Sequence, residues 1–163
     1  MRWLLIISIL LLFLGCRKKG CTDSYAINYN EKAKKEDGSC SYESDKFLGT
    51  YSVSDSVAGG MLPFDYYHKQ YDFEIFRDVS APNKITIRNF ANFSVPYIYQ
   101  DVSAFVDGNT FTLPNQAPIS NELTPTEKTI SGSGSISGDS IFFDYSFKNE
   151  FDESFGGRGL GKK

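Results

Sequence analysis

A two-residue rhythm governs the chain from residue 47 onward and restricts what it can fold into. In SIFFDYSFK, Ile141, Phe143, Tyr145 and Phe147 alternate with Phe142, Asp144, Ser146 and Lys148. Tyr71, Phe73 and Ile75 alternate with Asp72 and Glu74, and Ile85 and Ile87 with Lys84, Thr86 and Arg88. Successive side chains of a β-strand point to opposite faces, so each set puts its apolar members on one side. No long helical period of apolar residues appears after residue 46. Gly, Pro, Asn and Asp punctuate the runs. "FVDGNTFTL" sets Asp107-Gly108 between two of them and "SISGDSIFF" sets Gly138-Asp139, which is the signature of tight antiparallel hairpins. With further runs at Phe47 to Asp55, Tyr66 to Phe76, Lys84 to Ala91 and Glu153 to Gly161, about eight strands follow one another in sequence order. The expected fold class is all-β, a single antiparallel meander closed up-and-down into a barrel or strongly curled.

Gly49-Thr50-Tyr51 resembles the Gly-x-Trp opening of lipocalins and related calycin barrels, with Tyr in place of Trp. The resemblance implies a lipocalin-like barrel, and that a basic residue of the last strand, here Arg158, packs across the aromatic ring. An eight-stranded barrel either fills its interior with its own side chains or keeps a cavity for one small ligand. Both outcomes are open at this stage. Most of the 14 Phe and 10 Tyr belong to the core by their alternation. "FDYYHKQY", with Tyr66, Tyr67 and Tyr71, and "VPYIYQ", with Tyr97 and Tyr99, are the candidate ligand-binding stretches. Aromatic rings there would meet a glycan, an envelope protein or a small apolar ligand.

The front of the chain is of another kind. Trp3 to Leu14 reads WLLIISILLLFL, with Arg2 before it and Gly15, Cys16, Arg17, Lys18 and Lys19 after it. A membrane-spanning helix needs about 20 apolar residues, so this run matches a secretory signal instead. Ordinary cleavage wants small side chains one and three residues before the cut, yet the first Ala is Ala26. The stretch resembles a bacterial lipoprotein signal, whose lipobox ends in Gly-Cys as Gly15-Cys16 does here. Phe13 and Leu14 stand where that family has Leu followed by a small residue. The resemblance implies removal of residues 1–15, diacylation of Cys16, and N-acylation of that new N-terminus with a fatty acid such as palmitate. Two or more acyl chains make a lasting anchor. An uncleaved N-terminal helix anchor and a plainly secreted chain are the other readings.

Cys21 and Cys40 remain once Cys16 is set aside, and an exported compartment favours pairing two such thiols. Closing a loop of about 20 residues stabilises the folded state by about 3 kcal/mol in the chain-entropy picture. The segment CTDSYAINYNEKAKKEDGSC resembles a short repeat of secreted and surface proteins of some Gram-negative bacteria, C-T-D-P-x-A-x-N-Y-N-x-x-A-x-x-D-D-G-S-C. Ser24 stands for its Pro and Glu36 for one Asp, and the closing Asp37-Gly38-Ser39-Cys40 matches. Asp23, Asn28, Asn30, Glu36 and Asp37 concentrate oxygen-bearing side chains in one small loop, which makes them candidate calcium ligands, since that ion takes six to eight oxygens. The competing reading is structural, because Asp and Asn hydrogen-bond their own turns and the spacing lacks the D-x-D-x-D-G of an EF-hand.

No enzyme is expected. With 17 Lys and Arg against 20 Asp and Glu, no basic stripe stands out and nucleic acid is not an indicated partner. His68 is the only histidine, there is no G-x-S-x-G elbow, and "GSGSISG" (132–138) lacks the Lys of a phosphate loop. Asp144, Glu150, Asp152 and Glu153 lie near one another in sequence, as glycosidase carboxylates would, but no acid, base and stabiliser can be assigned together.

The organisation expected is a lipoprotein signal peptide at 1–15, a lipidated basic linker at 16–20, a disulfide-closed loop at 21–40, a linker at 41–46 and one antiparallel β domain at 47–163. The function expected is that of an envelope lipoprotein, lipid-anchored to the outer membrane, with a non-catalytic binding or structural β domain. A lipocalin-like carrier of a small apolar ligand is the alternative. No cofactor beyond the calcium candidate is expected. Lipoproteins of bacteria that carry this repeat type often reach the surface when acidic residues follow the lipidated Cys. Arg17, Lys18 and Lys19 have the opposite charge, which favours a periplasmic body over surface exposure.

Overall fold

A computed structural model describes residues 18–59, 66–78, 81–92, 100–117, 119–120, 127–149 and 154–163, with the backbone alone at 59, 66–67, 100, 119–120, 127–128 and 149. The chain divides into two units, one ending at Tyr42 and the other running Glu43–Lys163.

The first unit has little apolar content to bury: Cys21, Ala26 and Ala33 are its buried apolar side chains among the described residues. Covalent and polar ties order it instead. The Cys21–Cys40 disulfide closes the loop with Cα atoms 4.7 Å apart. A parallel bridge joins Lys19 to Lys35, and Ile27 N donates to Ser41 O at 2.8 Å.

The second unit is an all-β barrel. Its strands are β1 (Gly49–Gly59), β2 (Tyr66–Arg77), β3 (Lys84–Arg88), β4 (Gln100–Asp107), β5 (Thr110–Gln116), the two-residue β6 (Ile119–Ser120), β7 (Glu127–Ser137), β8 (Ser140–Asn149) and β9 (Ser154–Lys162). Each long strand pairs antiparallel with its sequence neighbours, and β9 pairs with β1 to close an eight-strand ring; β6 adds to β4 beyond β5. The meander read from the alternation is therefore a closed up-and-down barrel, which leaves no long edge unpaired. Both expected hairpins form, with Gly108 and Gly138 at φ 54 and 57, the left-handed conformation that glycine adopts without steric cost. Pro114 cannot donate to the ladder, and the β5–β7 register shifts between Leu113 and Gln116. There the Gln116 amide takes over a peptide's role, accepting from Ser103 N at 2.9 Å and donating to Ser103 O at 2.7 Å.

Two run boundaries differ from the sequence expectation. Glu43–Phe47 forms a 3₁₀ turn before β1. It packs across the barrel end that carries the two tight hairpins: the buried Phe47 ring meets Phe111 edge-on at 5.9 Å, Ser44 Oγ donates to Pro82 O at 2.8 Å, and Asp45 pairs with Arg77. At the other end β3 stops at Arg88, not Ala91. Asn89, Ala91 and Asn92 have positive φ values of 60, 57 and 52, so the chain turns inward. This drops Phe90 into the barrel, 5.1 Å from the Phe143 ring and 5.3 Å from Tyr145.

Among the described residues, aromatic rings fill the interior. Tyr51, Phe47, Phe73, Phe90, Phe111 and Phe143 are all less than 2 % exposed. Glycines make room for the rings of β8: Phe143 pairs with Gly134 on β7 and Gly159 on β9, and Tyr145 with Gly132 and Gly157. A Cβ at Gly157 or Gly159 would overlap the Tyr145 or Phe143 ring. The aromatic rings thus lie flat over a glycine-lined wall, and close packing of this kind is how interiors reach crystal-like density.

Candidate functional site

The alternation of β1 brings one acid into the barrel. Tyr51, Val53, Asp55 and Val57 share the inner face, and Asp55 is fully buried. The Tyr145 and Tyr71 hydroxyls donate to Asp55 Oδ2 at 2.7 and 3.1 Å. Oδ1 has no hydrogen-bond partner among the described residues. Burial raises the Asp55 pKa above the ordinary carboxylate value, with the two tyrosine hydrogen bonds and Lys69 opposing it. The same burial, together with the Asp55 charge, raises both tyrosines, so they remain donors over the physiological range. Asp55 sits in phase with apolar residues in TYSVSDSV, and that phase is the sequence signal for this cluster.

A second cluster lies on the outer face, in one row across four strands. Ser56 is in register with His68 on β2 and Arg158 on β9, and Arg158 with Asp144 on β8. Ser56 Oγ lies 3.0 Å from His68 Nδ1, and Arg158 Nε donates to Asp144 Oδ1 at 2.6 Å. A shallow hollow of about 400 Å³ borders this row, lined in part by Ser56, Asp144, Gly157 and Arg158. A serine–histidine pair becomes a nucleophile only with a group orienting the imidazole and donors for an oxyanion. Among the described residues no carboxylate is shown pairing with His68, and the neighbouring strand amides are engaged in the ladder. Glu150, Asp152 and Glu153 lie outside the described residues.

Arg158 does not pack across Tyr51, which corrects the expectation drawn from the calycin resemblance. Strand alternation turns it outward, where its side chain is 81 % exposed. Lys163, one residue past β9, lies there instead, with Nζ 5.2 Å from the Tyr51 ring centroid and donating to Lys46 O at 3.1 Å. The Tyr51 hydroxyl donates to Phe47 O at 2.9 Å, and burial pushes its pKa up to about 12.

In the first unit the five candidate calcium ligands are occupied by their own loop. Glu36 Oε2 accepts from Thr22 N and Oγ1 at 2.8 and 2.9 Å, and Oε1 from Gly38 N and Asp37 N at 2.9 and 3.0 Å. Asp23 accepts from Tyr25 N and the Tyr42 hydroxyl, Asn28 from Ser41 N, Asn30 from Lys32 N and Asp37 from Ser39 N. Among the described residues, the cluster of ligating atoms found together is Cys21, Glu36 and Cys40, all within 4.8 Å, and two of these are the disulfide sulfurs. The arrangement is that of interlocked turns. Hydrogen bonds from Thr22 and Gly38 amides hold the Glu36 pKa below the usual carboxylate value. The Tyr42 hydroxyl does the same for Asp23.

Of the other sequence candidates, Tyr66 and Tyr67 open β2 with side chains outside the described residues, and Cys16, Tyr97 and Tyr99 lie outside them altogether. Large exposed apolar side chains occur elsewhere, at Tyr25, Ile27 and Tyr29 of the disulfide loop and at Phe105 and Phe142 of the barrel.

No protein-family model and no curated protein matches the chain. Among solved structures it is similar to a single-residue mutant of the vaccine antigen transferrin binding protein B from Haemophilus parasuis, with 17 % identity and a TM-score of 0.39. That match takes in 71 % of this chain and 26 % of the other, so the chain spans about a quarter of that protein's length.

Proposed function

We propose that the protein is a lipid-anchored lipoprotein of the bacterial envelope, held in the outer membrane through Cys16, whose barrel serves a non-catalytic binding or structural role through its outside. The observation that carries the role is the packed interior. Phe73, Phe90, Phe143 and Tyr145 fill the space that a carrier would reserve for its cargo, and the one buried acid among the described residues spends its oxygen on two tyrosine hydroxyls. Envelope partners, protein or glycan, would then meet the outer face or the strand connections near Tyr66, Tyr67, Tyr97 and Tyr99.

The lipocalin-like carrier is the reading this displaces. Displacement of an apolar fluorescent dye separates them: the purified protein shows no saturable dye binding, whereas stoichiometric binding at micromolar dye restores the carrier. Anchoring is read on its own from the mass of the native mature chain, expected to begin at Cys16 with its acyl chains and an intact Cys21–Cys40 bond. An unmodified Cys16 on the mature chain ends the lipoprotein reading.

A further inference from the structure

Two pairs of lysines far apart in sequence meet in the first unit. Lys18-Lys19 runs alongside Lys34-Lys35, fixed by the parallel bridge between Lys19 and Lys35. Lys34 N donates to Lys18 O at 2.8 Å and Gly20 N to Lys35 O at 3.2 Å. All four lysines are exposed. None of them has an acidic side chain within ion-pair distance among the described residues. Asp23, Glu36 and Asp37 of the same unit are instead taken up by its own amides and hydroxyls. Neighbouring strands lie about 5 Å apart, so four ammonium-bearing chains start from one small area. Like charges brought that close repel unless an opposite charge covers them.

Chain length says what lies beside them. Lys18 is two residues after Cys16, a reach of at most about 7 Å. We infer that the edge formed by Lys18-Lys19 and Lys34-Lys35 is a membrane-docking surface that takes anionic phospholipid headgroups. Its placement rests on the lipidated Cys16 proposed above. The acyl chains hold the chain end in the bilayer, and the lysine edge lays the disulfide-closed unit against the headgroups. Lys34 and Lys35 join Lys18 and Lys19 because the loop is closed, so Cys21–Cys40 builds the charged surface as well as ordering the loop. Each lysine near an anionic surface strengthens binding about fivefold at low ionic strength, and salt screens the effect.

The test uses the mature chain from residue 16 with Cys16→Ser, which carries no lipid, sedimented with phosphatidylcholine vesicles with and without added phosphatidylglycerol. Binding that needs the anionic lipid and falls with salt is expected. Lys34→Gln/Lys35→Gln weakens it by about 30-fold, as much as Lys18→Gln/Lys19→Gln does, while Lys162→Gln on the barrel leaves it unchanged. No dependence on phosphatidylglycerol overturns the inference. So does a loss confined to the Lys18 and Lys19 variant, which describes an unstructured basic tether. Displacement by inorganic phosphate at low millimolar concentration also overturns it, by showing a site for the free anion. Because residue 16 is serine throughout, these outcomes are independent of whether native Cys16 is acylated, which the mass of the native chain decides.

Discussion

Among the described residues the Cys21–Cys40 unit buries three apolar side chains, Cys21, Ala26 and Ala33, where the barrel buries twenty, from Phe47 to Tyr145. Both are ordered, by different physics. A short chain with few apolar residues cannot offset its conformational entropy by burial and relies on a crosslink and local hydrogen bonds. The barrel has aromatic mass and a closed sheet. The difference extends to charge. In the small unit Asp23 and Glu36 accept hydrogen bonds at the surface and are held more acidic than usual, whereas the barrel's Asp55 is desolvated and held less acidic. Acid should therefore loosen one unit and tighten the other.

The largest effect expected is on the barrel. Phe90→Ala removes a ring packed against Phe73, Phe143 and Tyr145 and should cost about 3–5 kcal/mol in chemical denaturation; a loss under about 1 kcal/mol would mean that the inward turn does not seal the core. Next is Cys21→Ser/Cys40→Ser, which should remove about 3 kcal/mol of order from residues 18–42. Hydrogen exchange read peptide by peptide should show fast exchange there and unchanged protection in β1–β9. Equal loss in both regions would break the division into units.

Gly159→Ala should cost the barrel about 1–3 kcal/mol by overpacking, since its Cβ meets Phe143. Combined with Phe143→Leu the cost should shrink, a coupling that a double-mutant cycle measures.

The smallest effects are in pH dependence. The folded pKa of Asp55 lies above its reference value of 3.8, so the folded barrel binds the proton more tightly than the unfolded chain. That advantage is complete below the reference value and is lost as pH rises through the folded pKa. Asp55→Asn should abolish this fall in melting temperature. For Asp23 and Glu36 the sign reverses: their contribution is present above the reference values of 3.8 and 4.5 and is lost as pH falls through the depressed folded pKa. Exchange in residues 18–42 should quicken in acid, and Glu36→Gln should blunt that response. A common sign in both units would contradict the contrast.

Much of the barrel was legible beforehand. Alternation alone sorted Tyr71, Phe73, Ile75, Ile85, Ile87, Ile141, Phe143 and Tyr145 onto the inner face, and the two Gly-bearing turns gave two hairpins. The calycin analogy misled at Arg158, although the local phase of β9, with Phe155, Gly157, Gly159 and Gly161 inward, already turned that side chain out. Phe90 falls within an expected strand because nothing local announces positive φ values at Asn89, Ala91 and Asn92. They exist because the ring finds a place between Phe143 and Tyr145.

Sequence alone determined the strand periodicity, the tight turns, the crosslinkable pair and the apolar run from Trp3 to Leu14, because each depends on residues near one another in the chain. Tertiary structure decided what stands opposite what: glycines of β7 and β9 beneath the β8 rings, two tyrosines on one buried acid, and Lys34-Lys35 beside Lys18-Lys19. Those pairings arise only when distant segments close against each other, since complementarity of shape and charge belongs to the pair and is written in neither segment by itself.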